Sequence, residues 1–175
     1  MLVAKKTLLC LSFALLSSAA WADSLDKVNR LINAERQNYN LSKLVVNAKL
    51  SEAAKMHAEW MATTGVFSHL EGNKPVDTKE WVKSRWHPLN RAIQAGYVDF
   101  SVTSQPNANH YVSEIIAYGT PKSGPGRFDP KVIVDGWIKS SGHHKVMLGD
   151  FKEFGVAKKV RKGHVYWVVV FGNPE

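Results

Sequence analysis

The sequence has 175 residues, a length typical of one domain rather than two. Apolar residues make up 45% and charged residues 22%, a composition that excludes an intrinsically disordered chain. The net charge of +8 predicts weak attraction to anionic polymers or lipid headgroups of a cell envelope. The basic residues are scattered along the chain, and together with the export signal described next this argues against a nucleic-acid-binding protein.

Residues 1–22 have the three parts of a secretory signal peptide. Lys5 and Lys6 precede an apolar run over 7–18, and the small residues Ala20 and Ala22 occupy the third-last and last positions. The run is shorter than the stretch of about 20 apolar residues that spans a bilayer. We therefore predict cleavage after Ala22, export to the periplasm or the medium, and no transmembrane anchor in the processed protein.

The only cysteine, Cys10, lies inside this predicted signal peptide. The processed chain would carry no thiol, which excludes disulfides and cysteine nucleophiles. A chain of this length buries roughly two thirds of its unfolded surface, enough for a core without crosslinks.

Apolar periodicity and capping residues predict helices in four places: Asp23 to Asn38, Asn47 to Thr64, 85–95, and from Asp129-Pro130 to a stop at Ser141-Gly142. The second helix has an apolar stripe formed by Leu50, Ala54, His57 and Met61. We assign His57 to packing because it lies on this stripe. Residues 98–110 are rich in Ser, Thr, Asn, Gln and Pro and predict a surface loop.

The strands are predicted mostly in the second half of the chain. Residues 113–118 form a short apolar segment, and 154–160 and 164–171 form a hairpin with a bulged turn at 161–163. The last strand is almost entirely apolar, so we expect it to be buried on both faces. Helices followed by strands predict an α+β fold with an antiparallel sheet covered by helices.

Three polar residues at the ends of predicted elements are candidates for a site. His69 follows the second helix, His143 follows the last helix, and Glu114 lies in an apolar segment, where a buried carboxylate needs a partner or a cation. Two imidazoles and a carboxylate suit a divalent metal ion if they converge. The alternative is that the histidines are ordinary polar surface residues.

Several short motifs occur in a fixed order over residues 25–172. They are Leu31-Ile-Asn-Ala-Glu-Arg36, Leu50-Ser-Glu-Ala-Ala54, Phe67-Ser-His69, Ser113-Glu-Ile115, Trp137-x-x-Ser140-Ser-Gly-His143 and Phe151-Lys-Glu-Phe-Gly-Val156. In order and spacing they resemble the CAP superfamily, also called the SCP domain, which includes cysteine-rich secretory proteins, antigen 5 and pathogenesis-related proteins. The chain is most similar to bacterial members without cysteines, as a single CAP domain over 23–175.

The resemblance implies a three-layer α-β-α sandwich and a cleft lined by two histidines and two acidic residues, which binds zinc or another divalent cation in some relatives. By motif, His69 matches the first histidine, Glu114 the first acid, and His143 the histidine of the bacterial pattern. Glu153 is the nearest acid for the fourth position, and its alternative role is that of a surface strand residue.

Two functions follow from the resemblance. The first is a binding module for a hydrophobic or cell-envelope ligand, since relatives bind sterols or other lipids. The alternative is a zinc-dependent hydrolase such as a peptidase, in which His69 and His143 hold the metal. Glu114 is then the candidate catalytic residue, as third ligand or as general base on the bound water. The incomplete set of four cleft residues favours the binding module.

Overall fold

The computed structural model describes residues 23–75, 78–99 and 112–174. The predicted signal peptide and most of the predicted loop over 98–110 lie outside these residues. In chain order the elements are α1 (23–38), β1 (Val45–Val46), α2 (Ala48–Thr64), α3 (Thr78–Lys83), α4 (Pro88–Gln94), β2 (Val112–Gly119), α5 (Pro130–Lys139), α6 (Ser141–Met147), β3 (Glu153–Arg161) and β4 (His164–Gly172).

The four strands form one sheet in the order β1-β3-β4-β2. Strand β4 is antiparallel to both β3 and β2, as predicted, and the short β1 runs parallel to β3. Strand β1 carries the chain from α1 on one face of the sheet to α2 on the other. With two residues it is too short to give an alternating sequence pattern, so the sequence did not reveal this parallel edge.

Side chains of β4 alternate between two hydrophobic cores, one on each face of the sheet. One core contains Val165, Trp167, Val169 and Phe171 with residues of α1, α5 and α6. The other contains Tyr166, Val168 and Val170 with residues of α2 and α4. The three-layer α-β-α arrangement and the burial of β4 on both faces are therefore confirmed.

Helix α2 has the bounds that its capping residues predict. The side chain of Asn47 accepts hydrogen bonds from the backbone N–H groups of Lys49 and Leu50, and Gly65 ends the helix with a φ of +76°. His57 lies in the buried stripe of this helix.

The largest difference from the predicted elements follows α5. The stop at Ser141-Gly142 is wrong: α5 ends at Lys139, Ser140 has extended backbone angles, and α6 begins at Ser141. His143 consequently lies on a second helix and not in a loop. A seven-residue helix with one buried residue, Met147, has no apolar periodicity from which to predict it.

Two local predictions also change. The β3–β4 hairpin has a two-residue turn, because Arg161 pairs with His164, and the two turn residues have φ values of 50° and 76°, as in a type I′ turn. The helix predicted over 85–95 begins only at Pro88, because His87 caps it and Pro88 occupies its first position. Within the described residues, no helix combines the length and the apolar character that crossing a membrane requires.

Candidate functional site

His69 and Glu114 meet beside β2, which is an edge strand of the sheet. His69 Nδ1 lies 2.9 Å from Glu114 Oε1, and Arg91 donates a hydrogen bond of 2.7 Å to Glu114 Oε2. The side chain of Glu114 is 1% exposed and that of His69 is 47% exposed. A buried carboxylate thus carries a half-exposed imidazole at the protein surface.

Arg91, on α4, is fully buried and connects three segments of the chain. Besides Glu114 on β2, its guanidinium donates to the backbone oxygens of Arg85 at 3.0 Å and His69 at 3.2 Å. The charged contact with Glu114 balances its buried charge, and the carbonyl contacts fix its position.

A second buried acid, Glu71, extends this network. Its Oε1 lies 2.9 Å from His57 Nδ1, and its Oε2 lies 3.3 Å from Arg85 Nε. The other ring nitrogen of His57 faces Glu114 Oε1 at 3.6 Å and has no hydrogen-bond partner among the described residues. His57 therefore lies between the two buried carboxylates, so its predicted packing role is accompanied by a polar one.

The charges around Glu114 decide its ionisation. Burial alone would raise the pKa of this carboxyl group, but the charges of Arg91 and His57 and the hydrogen bonds from His69 and Arg91 outweigh burial and lower it. Glu114 is consequently ionised at neutral pH and can only accept hydrogen bonds.

This lowered pKa predicts a loss of stability in acid. A carboxyl group with a depressed folded-state pKa stabilises the fold above its ordinary pKa of about 4.3, and the contribution is lost as the pH falls through the folded-state value. The free energy of unfolding should therefore differ most between wild type and Glu114→Gln at neutral pH. This difference in the free energy of unfolding should become smaller below about pH 4, where Glu114 becomes protonated in both the unfolded and the folded wild type. Urea unfolding of both proteins across this range checks the prediction, and a constant difference would contradict it.

A cleft of about 230 Å³ opens above Glu114. It is lined by His69, Leu70, His87, Pro88, Val112, Ser113 and Glu114. Burial, followed by the charge of Arg91, lowers the pKa of His87. Burial, followed by the charge of His69, lowers the pKa of His143. Both rings are thus biased towards the neutral form.

The predicted site residues do not all lie together. His69 and Glu114 are in contact, and half-buried His143 is near enough for the charge of His69 to affect its pKa. Glu153 is on β3, and β4 separates it from the strand of Glu114. Its carboxylate accepts hydrogen bonds from Tyr97 at 2.9 Å and Asn47 at 3.1 Å. Glu153 therefore belongs to a different polar cluster.

These residues do not fit a zinc ion as they are arranged. Both oxygens of Glu114 are engaged, one by Arg91 and one by His69. A cation bound to this carboxylate would also lie beside the buried guanidinium, which repels it. Among the residues that the structure describes, no group of three or more His, Cys, Asp or Glu side chains could hold a metal ion. Zinc binding stays a prediction.

Sequence reasoning missed Arg91 and Glu71 as parts of the site. The available signal was the position of Arg91 between Leu89 and Ala92, both of which are fully buried. Glu71 gave no signal, because it lies in a polar segment and is buried only through its tertiary contacts with His57 and Arg85.

The α-β-α sandwich, with a histidine and a glutamate at a cleft beside an edge strand, defines a CAP-type domain. The sequence model of the CAP family, described as the cysteine-rich secretory protein family, matches residues 30–171, and the chain belongs to this family.

Solved structures of two bacterial proteins share the fold. An outer surface protein from Borrelia burgdorferi has a TM-score of 0.64 at 18% identity, over 87% of this chain and 94% of that one. An extracellular protein containing a SCP domain from Bacillus anthracis has a TM-score of 0.63 at 22% identity, over 87% of this chain and 41% of that one.

Among curated proteins, the chain is similar to the uncharacterized membrane protein YlbC of Bacillus subtilis. The two are 28% identical over 127 residues, which is 72% of this chain and 29% of YlbC. The chain thus spans less than a third of the length of this relative.

Proposed function

We propose that this protein is an exported CAP domain whose cleft binds a hydrophobic or cell-envelope ligand. The observation that carries the proposal is the state of Glu114. Both of its carboxylate oxygens already have a close partner, Arg91 or His69, and these two contacts disfavour a role for Glu114 as general base or metal ligand.

The surface next to the cleft, on the segment that carries His69, supports an apolar contact. The segment that follows α2 exposes Val66, Phe67 and Leu70, by 48%, 47% and 38%, on either side of His69. The ring of Phe67 stacks on that of Tyr118, which is 37% exposed, at a centroid distance of 5.5 Å. Contiguous exposed apolar residues of this kind mark binding sites for ligands or membranes.

Export is supported by the predicted signal peptide and by the relatives. The names of two structural neighbours describe an outer surface protein and an extracellular protein. We propose the same side of the membrane for this chain, in the periplasm or the medium.

The proposal is tested with the fluorescent apolar probe anilinonaphthalene sulfonate and with lipids extracted from the purified exported protein. We expect saturable probe binding that weakens roughly five- to twentyfold in Phe67→Ser, because the variant removes the apolar area of one ring. Tyr39→Ser is the matched control, since Tyr39 is 53% exposed but lies at the end of α1. Equal probe binding by the parent and both variants would contradict a role for this apolar surface.

The alternative is a hydrolase, and one observation favours it. Glu114 holds His69 by Nδ1 and leaves the rest of the half-exposed ring to the cleft, as in sites where an acid orients a histidine base. A zinc-dependent peptidase with Glu114 as third metal ligand would further need the metal to compete with Arg91 and His69 for this carboxylate.

A zinc titration separates the two functions. The binding module predicts no saturable zinc binding at micromolar concentrations in a calorimetric titration. The hydrolase instead predicts zinc binding that is lost in His69→Ala and in His143→Ala but kept in the surface variant His164→Ala. This result would contradict our proposal.

A further inference from the structure

We infer that the cleft recognises a secondary amide, the acetamido group of an N-acetylated saccharide, through two imidazoles that are fixed in opposite tautomers. The inference rests on the proposed ligand-binding function of the cleft and names the chemical class of its envelope ligand.

His87 is fixed as a hydrogen-bond donor. It caps α4, and its Nδ1 accepts a hydrogen bond of 3.3 Å from the backbone N–H of Leu89. A ring nitrogen that accepts a hydrogen bond carries no proton, so the proton of the neutral ring is on Nε2. His87 therefore offers an N–H group as its remaining polar function.

His69 is fixed in the opposite sense. Its Nδ1 faces Glu114 Oε1 at 2.9 Å, and an ionised carboxylate can only accept, so Nδ1 must donate. When the ring is neutral, its Nε2 is unprotonated and is a hydrogen-bond acceptor. Since the side chain of His69 is 47% exposed, this acceptor is accessible to a ligand.

Both rings line the same cleft of about 230 Å³. A secondary amide has one N–H donor and one carbonyl acceptor, which match the His69 acceptor and the His87 donor. The remaining walls include Leu70, Pro88 and Val112, which suit a methyl group. An acetamido group combines these three parts, an N–H, a carbonyl and a methyl.

The size of the cleft favours a terminal group on a sugar over a lipid chain or a peptide backbone. Sites for drug-sized ligands usually measure about 300–1,000 Å³, so this cleft suits a small substituent. A peptide amide continues as main chain on both sides, whereas an acetamido group ends in its methyl. The ring of Phe67, which is 47% exposed and lies two residues before His69, offers apolar surface to the sugar that carries the group.

The first test measures the tautomers directly. Long-range proton–nitrogen correlation spectra of protein labelled with ¹⁵N-histidine, near pH 7, should show His69 protonated at Nδ1 and His87 at Nε2. The variants His69→Ala and His87→Ala assign the signals. Finding both rings protonated at the same nitrogen, or His69 protonated at both nitrogens, would overturn the inference.

The second test compares two neutral sugars that differ at one substituent. N,N′,N″-Triacetylchitotriose, called chitotriose below, carries acetamido groups where cellotriose carries hydroxyl groups. We expect it to bind about tenfold more tightly or better, because a site that hydrogen-bonds a polar group rejects the analogue without it. His69→Ala should abolish this preference, and Tyr39→Ser, at the end of α1 and outside the cleft, should keep it. Equal affinities in the wild type would overturn the inference.

Two further arms separate the possible failures. If trialanine binds as tightly as chitotriose, the recognised amide belongs to a peptide, and the inference of a saccharide ligand is overturned. If neither sugar binds, but anilinonaphthalene sulfonate still binds and binds more weakly to Phe67→Ser, the saccharide inference is wrong and the proposed ligand-binding function stands. If the apolar probe also fails to bind, the proposed function fails with it.

Discussion

Replacing Arg91 by methionine is expected to lower the free energy of unfolding by about 3–5 kcal/mol, the usual cost of removing one partner of a buried ion pair. Arg91 is fully buried and has Glu114 Oε2 at 2.7 Å and Glu71 Oε1 at 3.8 Å. Without the guanidinium, Glu114 would remain buried with only histidine partners. Urea unfolding monitored by tryptophan fluorescence measures the loss.

A matched control is available in Arg85→Met. Arg85 contacts the same acid, Glu71, but its side chain is 46% exposed, so its loss should cost only about 0–1 kcal/mol. The double variant Arg91→Met with Glu114→Gln should recover part of the stability, because it removes the uncompensated charge. If Arg91→Met lowered the free energy of unfolding no more than Arg85→Met does, Arg91 would not be the residue that balances the charge of the buried acids.

The layered fold could be predicted because its main elements carry strong local signals. Helix α2 has an Asn at its start, a Gly at its end and an apolar stripe between them. Strand β4 is apolar along nearly its whole length and is buried on both faces. The contact between His69 and Glu114 was also expected, since an acid among apolar residues needs a partner.

The parts of the site that could not be predicted depend on tertiary contacts. The apolar neighbours Leu89 and Ala92 are the only signal that Arg91 is buried, and its partners Glu71, Glu114 and several carbonyl groups come from other segments of the chain. Likewise, α6 lacks the apolar periodicity of an amphipathic helix, so the sequence did not predict that His143 lies on a helix. Lys162, in the β3–β4 turn, has a positive φ. The only sequence feature that pointed to this two-residue turn was the neighbouring Gly163.

The close approach between α2 and the sheet gives the second large effect. A Cβ atom added at Gly155 on β3 would overlap backbone atoms of Leu50 and Ser51 in α2. Backbone atoms cannot move aside as a flexible side chain can, so the whole helix must shift. We expect Gly155→Ala to destabilise the protein by about 3 kcal/mol, at the upper end of the usual cost of overpacking.

The matched control for this substitution is Gly142→Ala. Gly142 lies in α6, and a Cβ atom there would have no heavy atom within 4 Å, so alanine should be neutral or stabilise by up to about 1 kcal/mol. Because α2 also carries His57, which lies between the two buried carboxylates, the shift in Gly155→Ala should reach the cleft. Histidine spectra should therefore show displaced His57 and His69 signals in Gly155→Ala and unchanged ones in Gly142→Ala. If the two variants had the same unfolding midpoint, the sheet would tolerate a wider spacing from α2. If they also had the same His57 signals, α2 would not be what holds the network beneath Glu114 in place.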